Sequence, residues 1–344
     1  MIQSMHIRLA AAACLLQVPS TAQDASPDAA PVYRQAFAEM TKVLREDTDY
    51  PVDWPEVRAP STAAYRVAPW PELLQATAVA RALFAQAAGT RRCSFDQPTG
   101  ARVLGDEVQD RAADFGTMGK FLSAHAWSVL ETQPGAALAD VEAMLSCARH
   151  LEAQKSLWSA LIAANQADSA LTLAEALLSV RGEAAAKPPI LRRALAAVEA
   201  RARSRANPSQ LADRLIEDAR AMLALQQEDG TQNAAAITAA KDRAIEMLQG
   251  LLAPMRAANA GDVEKVRVAS ERLISKLKAK YDGKKASEVA ATGVGEALAA
   301  VLATLVAPNS VGLLKLWDDE GARLAKVIAA LRNRCGATAA DKKR

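Results

Sequence analysis

Apolar side chains recur every three or four residues over most of the chain, the spacing that places them on one face of a helix. In DAAPVYRQAFAEMTKVLRE (residues 28–46), Tyr33, Phe37, Met40, Val43 and Leu44 form such a stripe. PELLQATAVARALFAQAAG (71–89) predicts a second helix, with Pro71 at its first position and a left-handed cap at Gly89. Further on, MGKFLSAHAWSVLE (118–131), AALADVEAMLSCARHLEAQKSLWSALIAAN (136–165) and ADSALTLAEALLSVRG (167–182) read as helices broken at QPG and NQAD. Beyond the boundary GEAAAKPP lie longer amphipathic stretches at 190–206, 209–227, 234–259 and 263–283, with Asn207, Pro208 and Ser209 marking a turn. A final pair follows at 294–307 and 310–335, separated at Pro308.

Two stretches lack this period. Residues 47–71 hold several prolines and read as an extended surface loop pinned by Trp54, Tyr65 and Trp70. TRRCSFDQPTGARVLGDE (90–107) is a second irregular segment. No alternating pattern predicts a strand. The expected class is all-α: an array of antiparallel helical hairpins, solenoid-like or bundled, with no sheet. The expected organisation is a signal peptide at 1–22, an N-terminal helical domain at 23–182, a C-terminal bundle at 183–334 and a disordered tail at 335–344.

Composition supports the helical reading. Hydrophobic residues make up 51% of the 344 but aromatics only 4%, so the apolar content is mainly alanine and leucine, strong helix formers with little preference for strands. The formal charge of +3, from 42 basic and 39 acidic residues, sets up no field of the kind that selects nucleic acid.

The N-terminus reads as an export signal: MIQSMHIR carries Arg8, LAAAACLLQV is a short apolar run, and cleavage is expected after Ala22. Lipidation at Cys14 is the rival, weakened because Cys14 sits inside the apolar run. Cleavage removes Arg8 and Cys14, leaving Cys93, Cys147 and Cys335. The expected destination is the periplasm or the exterior, where a disulfide is chemically permitted.

Candidate chemistry is sparse. Cys147 and His150 stand three residues apart on one helical face, a spacing that suits two ligands of one ion. A zinc site needs further ligands, with only His125 and Cys93 to supply them, and Cys147 falls in the apolar series Val141, Met144, Leu145 and Leu151. No metal or other cofactor is therefore expected; Cys147 is either paired with Cys93 in a disulfide or a buried free thiol, and His150 is a helix-end residue. Asp106, Asp110 and Asp114 recur every four residues, a row suited to calcium or paired-acid hydrolysis, although a solvated charged face with capping aspartates is the preferred reading. Lys265, Arg272, Lys276 and Lys280 lie in the locally basic, amphipathic stretch 263–285, which suits an anionic lipid surface, although a core-packing helix with a solvated back is the preferred reading. Gly293 and Gly295 open a helix without a preceding strand or a Gly-Lys-Ser, which argues against a phosphate loop, and neither G-x-S-x-G nor H-E-x-x-H occurs. The expected partner is a protein or envelope component, with no nucleic acid and with the membrane surface as an alternative.

Several motifs together, AAPVYRQAFAEM, RRCSFD, the G-x-F-L-x-x-x-A of GKFLSAHA, ALADVEAMLSCARHL at 137–151 and LATLVAP followed by a charged helix to Arg334, resemble uncharacterised exported all-helical proteins of planctomycete-type bacteria. The resemblance implies an exported helical architecture and no catalytic residue. It also implies that the Arg149-His150-Leu151 run belongs to a packing pattern. Residues 183–290 match nothing in it.

Overall fold

The computed structural model describes residues 27–46, 62–95, 111–154, 157–180, 187–224, 234–256, 263–281 and 294–341. Residues 1–22, expected to be a signal peptide, with Cys14, and likewise Trp54, Asp106, Asp110 and Gly293, lie outside them. The protein is all-α, with eleven helices packed on one another and no strand among the described residues. They are α1 (Ala29–Glu46), α2 (Trp70–Ala76), α3 (Ala78–Ala88), α4 (Ala112–Val129), α5 (Pro134–Ala153), α6 (Leu157–Ser179), α7 (Pro188–Ser204), α8 (Pro208–Ala224), α9 (Ala234–Arg256), α10 (Val263–Tyr281) and α11 (Val294–Asp341).

The predicted stripe of α1 is the buried one: Tyr33, Phe37 and Met40 are all at most 1% exposed, while Leu44 at the far end reaches solvent. Tyr65 and Trp70 pack edge to face with ring centroids 5.0 Å apart, joining the end of the first irregular stretch to the start of α2. α5 and α6 pack on each other, and alanine is prominent among their buried residues. Ala137, Ala148, Ala163, Ala167, Ala170 and Ala174 are fully buried, and such small side chains let helix axes approach closely.

Two cores result. The larger draws on α1 to α7 and on Leu324, Val327 and Leu331 of α11. The smaller collects Ala160 of α6, Leu211, Leu215 and Ile216 of α8, Leu248 and Leu252 of α9, and Leu314 of α11. Both combine residues from either side of position 183, and α11 runs past both.

Several helix boundaries differ from the sequence reading. The stretch 71–89 is two helices, divided at Thr77, whose buried hydroxyl donates to the Leu73 carbonyl at 2.8 Å. Gly89 is not a left-handed cap: its φ is −73°, and its amide turns back to the Ala85 and Gln86 carbonyls. The chain then leaves through Thr90, whose hydroxyl donates to the Ala87 carbonyl at 2.9 Å.

The break expected at NQAD falls instead at Gln154, where the backbone turns extended, and α6 runs unbroken through Asn165 and Asp168. Tertiary contacts explain the exchange. Gln166 is buried and donates to the Phe115 carbonyl of α4 at 2.7 Å, whereas Gln154 donates to the Cys93 and His150 carbonyls, both at 3.1 Å. The separation expected at Pro308 is likewise absent, since α11 is continuous from Val294 to Asp341 and passes through the segment expected to be a polar tail.

Candidate functional site

Four of the five phenylalanines gather around one tyrosine. Tyr33 has Phe84, Phe95, Phe115 and Phe37 with ring centroids at 4.8, 5.8, 6.0 and 6.4 Å. An aromatic pair is worth about 0.5–1.5 kcal/mol beyond its buried area, so this cluster is a main anchor of the N-terminal half. It brings α1, α3, α4, α5 and the segment 90–95 together.

The Tyr33 hydroxyl is the polar centre of this apolar cluster. It lies 3.1 Å from Nδ1 of His150 and in hydrogen-bond contact with the Cys147 thiol. Nε2 of His150 lies 3.0 Å from the Thr90 carbonyl oxygen. A carbonyl only accepts, so Nε2 carries the proton, Nδ1 of the neutral ring accepts, and the Tyr33 hydroxyl donates to it. The oxygen of Tyr33 is then the acceptor for the Cys147 S–H. Cys147, Tyr33, His150 and Thr90 thus form one directed chain of hydrogen bonds.

Burial sets the protonation states along it. It pushes the Cys147 thiol and the Tyr33 phenol well above their usual ranges, so both stay protonated. It holds the His150 imidazole below its usual value, with Arg149 acting in the same direction and the Thr90 hydrogen bond and the Asp28 carboxylate opposing. Neutral groups are what an apolar interior tolerates.

The segment 90–95 is held over the end of α5 from several points. Beyond the Thr90 and Cys93 carbonyl contacts, the Asp28 carboxylate accepts from the Ala30 and Ser94 amides at 3.0 and 2.9 Å, and the Ala29 amide donates to the Arg92 carbonyl. Cys93 is half-buried against the larger core, which contains Cys147, and both cysteines are thiols.

His125 does not join Cys147 and His150. Its Nδ1 lies 2.6 Å from a carboxylate oxygen of Asp140, a buried residue two turns before Cys147 on α5. Burial raises the Asp140 carboxyl, against the opposing pull of His125 and of Arg81. No group of three or more His, Cys, Asp or Glu placed to hold a metal occurs among the described residues.

A second polar cluster lies where the two cores meet. Arg201 of α7 is 1% exposed. It grips Glu320 of α11 through Nε at 2.8 Å and Nη2 at 3.3 Å, and reaches Glu152 of α5 through Nη1 at 3.1 Å. Arg214 of α8 also holds Glu152, at 3.0 Å to the carboxylate and 2.6 Å to its backbone carbonyl. That second bond satisfies an acceptor at the C-terminal end of α5, where a cation suits the helix dipole. Arg205 lies over the Trp317 ring, 4.3 Å from its centroid, and donates to the Trp317 carbonyl. Beside the cluster is a cavity of about 20 Å³, bordered by Glu152, Arg201, Trp317 and Glu320, large enough for about one water molecule.

The remaining sequence candidates are scattered. Asp114 lies in the first turn of α4 and pairs with Arg111 at 3.3 Å. On α10, Lys265, Arg272 and Lys276 are exposed, but Arg267 between them is engaged by Glu264 and Glu271 on the same helix, which dilutes the positive face. Lys280 lies on the same helix. The ion-pair cluster was invisible in the sequence because its members come from four helices, and each alone reads as an ordinary solvated charge. Tyr33 was read only as one member of an apolar stripe.

Comparison with known protein families, curated proteins and solved structures finds no match for this chain.

Proposed function

We propose that this protein is a non-enzymatic, exported helical module that acts by protein–protein or envelope contact through the outer faces of its helices. The observation that carries the reading is the use made of its buried polar groups. Arg201, Glu152 and Glu320 spend their hydrogen-bonding capacity on other helices, and His150, Tyr33 and Gln154 spend theirs on one another's elements and on segment 90–95. The cavity beside the ion pairs is water-sized, far below the roughly 300 Å³ at which small-molecule sites begin. Chemistry of this kind joins helices together and leaves contact with other molecules to the outer surface.

The test is photo-cross-linking in the native envelope from the exposed positions Leu44, Val79 and Leu316. The partner so identified is then purified and titrated. Saturable binding, weakened by a charged residue at the cross-linked position, supports the reading. Turnover of a glycan, peptide or ester panel by the purified protein, lost in Asp114→Asn, would sink it in favour of a carboxylate-dependent hydrolase.

A second reading has its own observation: the exposed Lys265, Arg272 and Lys276 of α10 suit an anionic membrane surface. Co-sedimentation with phosphatidylglycerol vesicles that is absent with phosphatidylcholine, and lost on changing all three to glutamine, would favour it.

A further inference from the structure

We propose that Cys93 and Cys147 are a redox pair, in which Cys93 is the entry thiol for a disulfide oxidant and Cys147, relieved of its proton through Tyr33 and His150, closes an intramolecular bond. The geometry assigns the roles. Cys93 is half-buried and so open to an attacking reagent from one side, while Cys147 is fully buried. Both flank Tyr33: the Cys147 thiol touches its hydroxyl, and Phe95, two residues beyond Cys93, packs on its ring at 5.8 Å. Cys93 is among the groups whose charge acts on the Cys147 thiol, and it packs against the same core that buries Cys147. The Cys93 carbonyl is tied by Gln154 to the same helix that carries Cys147.

A buried thiol is a poor nucleophile, because the thiolate is the reacting species. Cys147 overcomes this only if a base takes its proton as it reacts. The directed chain provides one: the Cys147 thiol is hydrogen-bonded to the Tyr33 hydroxyl, and that hydroxyl lies 3.1 Å from the unprotonated Nδ1 of His150. Burial keeps that imidazole in its base form at neutral pH.

The steps balance. The Cys93 thiolate attacks one sulfur of a disulfide oxidant, such as oxidised glutathione, breaking that bond, releasing one thiol and leaving a mixed disulfide. Cys147 then attacks the Cys93 sulfur. Its proton passes to Tyr33 while the Tyr33 proton passes to His150, and the second thiolate leaves and takes a proton from the imidazolium. Two protein thiols are oxidised and one oxidant disulfide is reduced to two thiols. The new bond staples segment 90–95 to α5 at the aromatic anchor.

The experiment treats the folded, purified chain with oxidised glutathione, quenches it at intervals and maps its disulfides by peptide mass spectrometry. It requires no export, so its failure is separable from failure of the proposed function. A Cys93–Cys147 bond is expected, formed through a transient glutathione adduct on Cys93, with a raised thermal midpoint that reduction reverses. In Tyr33→Phe, which keeps the ring and removes the relay, the adduct should form at the same rate and close at least about tenfold more slowly at pH 7. Its closure rate should climb with pH, whereas that of the parent levels off. Should Tyr33→Phe not fold, the mapping on the unaltered chain still decides the pairing. A persistent adduct at Cys93, a bond to Cys335, or untouched thiols at saturating oxidant in the folded protein would each overturn the proposal.

Discussion

Arg201 and Glu320, 119 positions apart in the chain, meet in a two-point contact with both side chains almost fully buried. Glu152 and Arg214 extend it, so that charges from α5, α7, α8 and α11 converge where the two cores adjoin. An ion pair of this kind is costly to desolvate and more costly to break. Burial pushes the Glu320 carboxyl upward, and the Arg201 guanidinium pulls it back.

Removing one partner is therefore worse than removing both. Glu320→Leu should lower the unfolding free energy by about 3–5 kcal/mol, because Arg201 loses its forked acceptor inside the protein. The double variant Arg201→Met with Glu320→Leu should recover a substantial part of that loss. Urea denaturation of the two single variants and the double one measures the coupling, and simple additivity would contradict the argument.

Two glycines of α11 separate helix propensity from packing. A Cβ on Gly312 meets nothing within 4 Å, whereas one on Gly321 would lie 2.6 Å from Nη1 of Arg205. Gly312→Ala should stabilise by about 0.5–1 kcal/mol. Gly321→Ala should gain the same propensity but lose part or all of it, since the added carbon displaces the Arg205 guanidinium from the Trp317 face. Thermal melts of the pair, with Trp fluorescence as a local readout, decide it.

The start of α8 is closed by a reciprocal cap. The Gln210 amide donates to the Asn207 side-chain oxygen, and the Asn207 amide donates to the Gln210 side-chain oxygen, both at 2.8 Å. This is a capping box, and Asn207→Ala should cost about 1 kcal/mol of stability. Asn207→Asp should retain most of it. Denaturation midpoints at pH 7 test both.

The pH dependence follows from His150. Its folded-state pKa lies below the ordinary value near 6.5, so as pH falls through that value the unfolded chain takes up a proton that the folded protein refuses. Stability is thus fully present above about pH 6.5 and falls below it. Burial raises Asp140 and Glu320, whose effect has the opposite sign, so the comparison must be a difference. Between pH 7.5 and 5.5 the parent should lose more unfolding free energy than His150→Gln; an equal loss in both would refute the assignment.

Much of the helical plan was legible because it is local. The stripe Tyr33, Phe37 and Met40 identifies the buried face of α1 without reference to any other helix, and Asn207-Pro208 marks the start of α8 by its own turn chemistry. The paucity of aromatics and the excess of alanine point to helices packed through small side chains, and α5 and α6 each bury several alanines completely. These properties repeat with the chain's own period, so a reader of the sequence meets them directly.

What only the tertiary structure decided are the points where a residue's role depends on a distant neighbour. Asn165 to Asp168 looks like a break and is helix because Gln166 finds a buried carbonyl on α4; Gln154 looks helical and is the break because its side chain is claimed by Cys93 and His150. Cys147 and His150 share a face, as their spacing requires, yet it is Tyr33, 117 positions from His150, that links them into a hydrogen-bonded chain. Arg201 reads as one of several arginines on a polar helix until α5 and α11 supply its carboxylates. Periodicity is a property of neighbours along the chain, and a buried charge or a directed proton path is a property of neighbours across it.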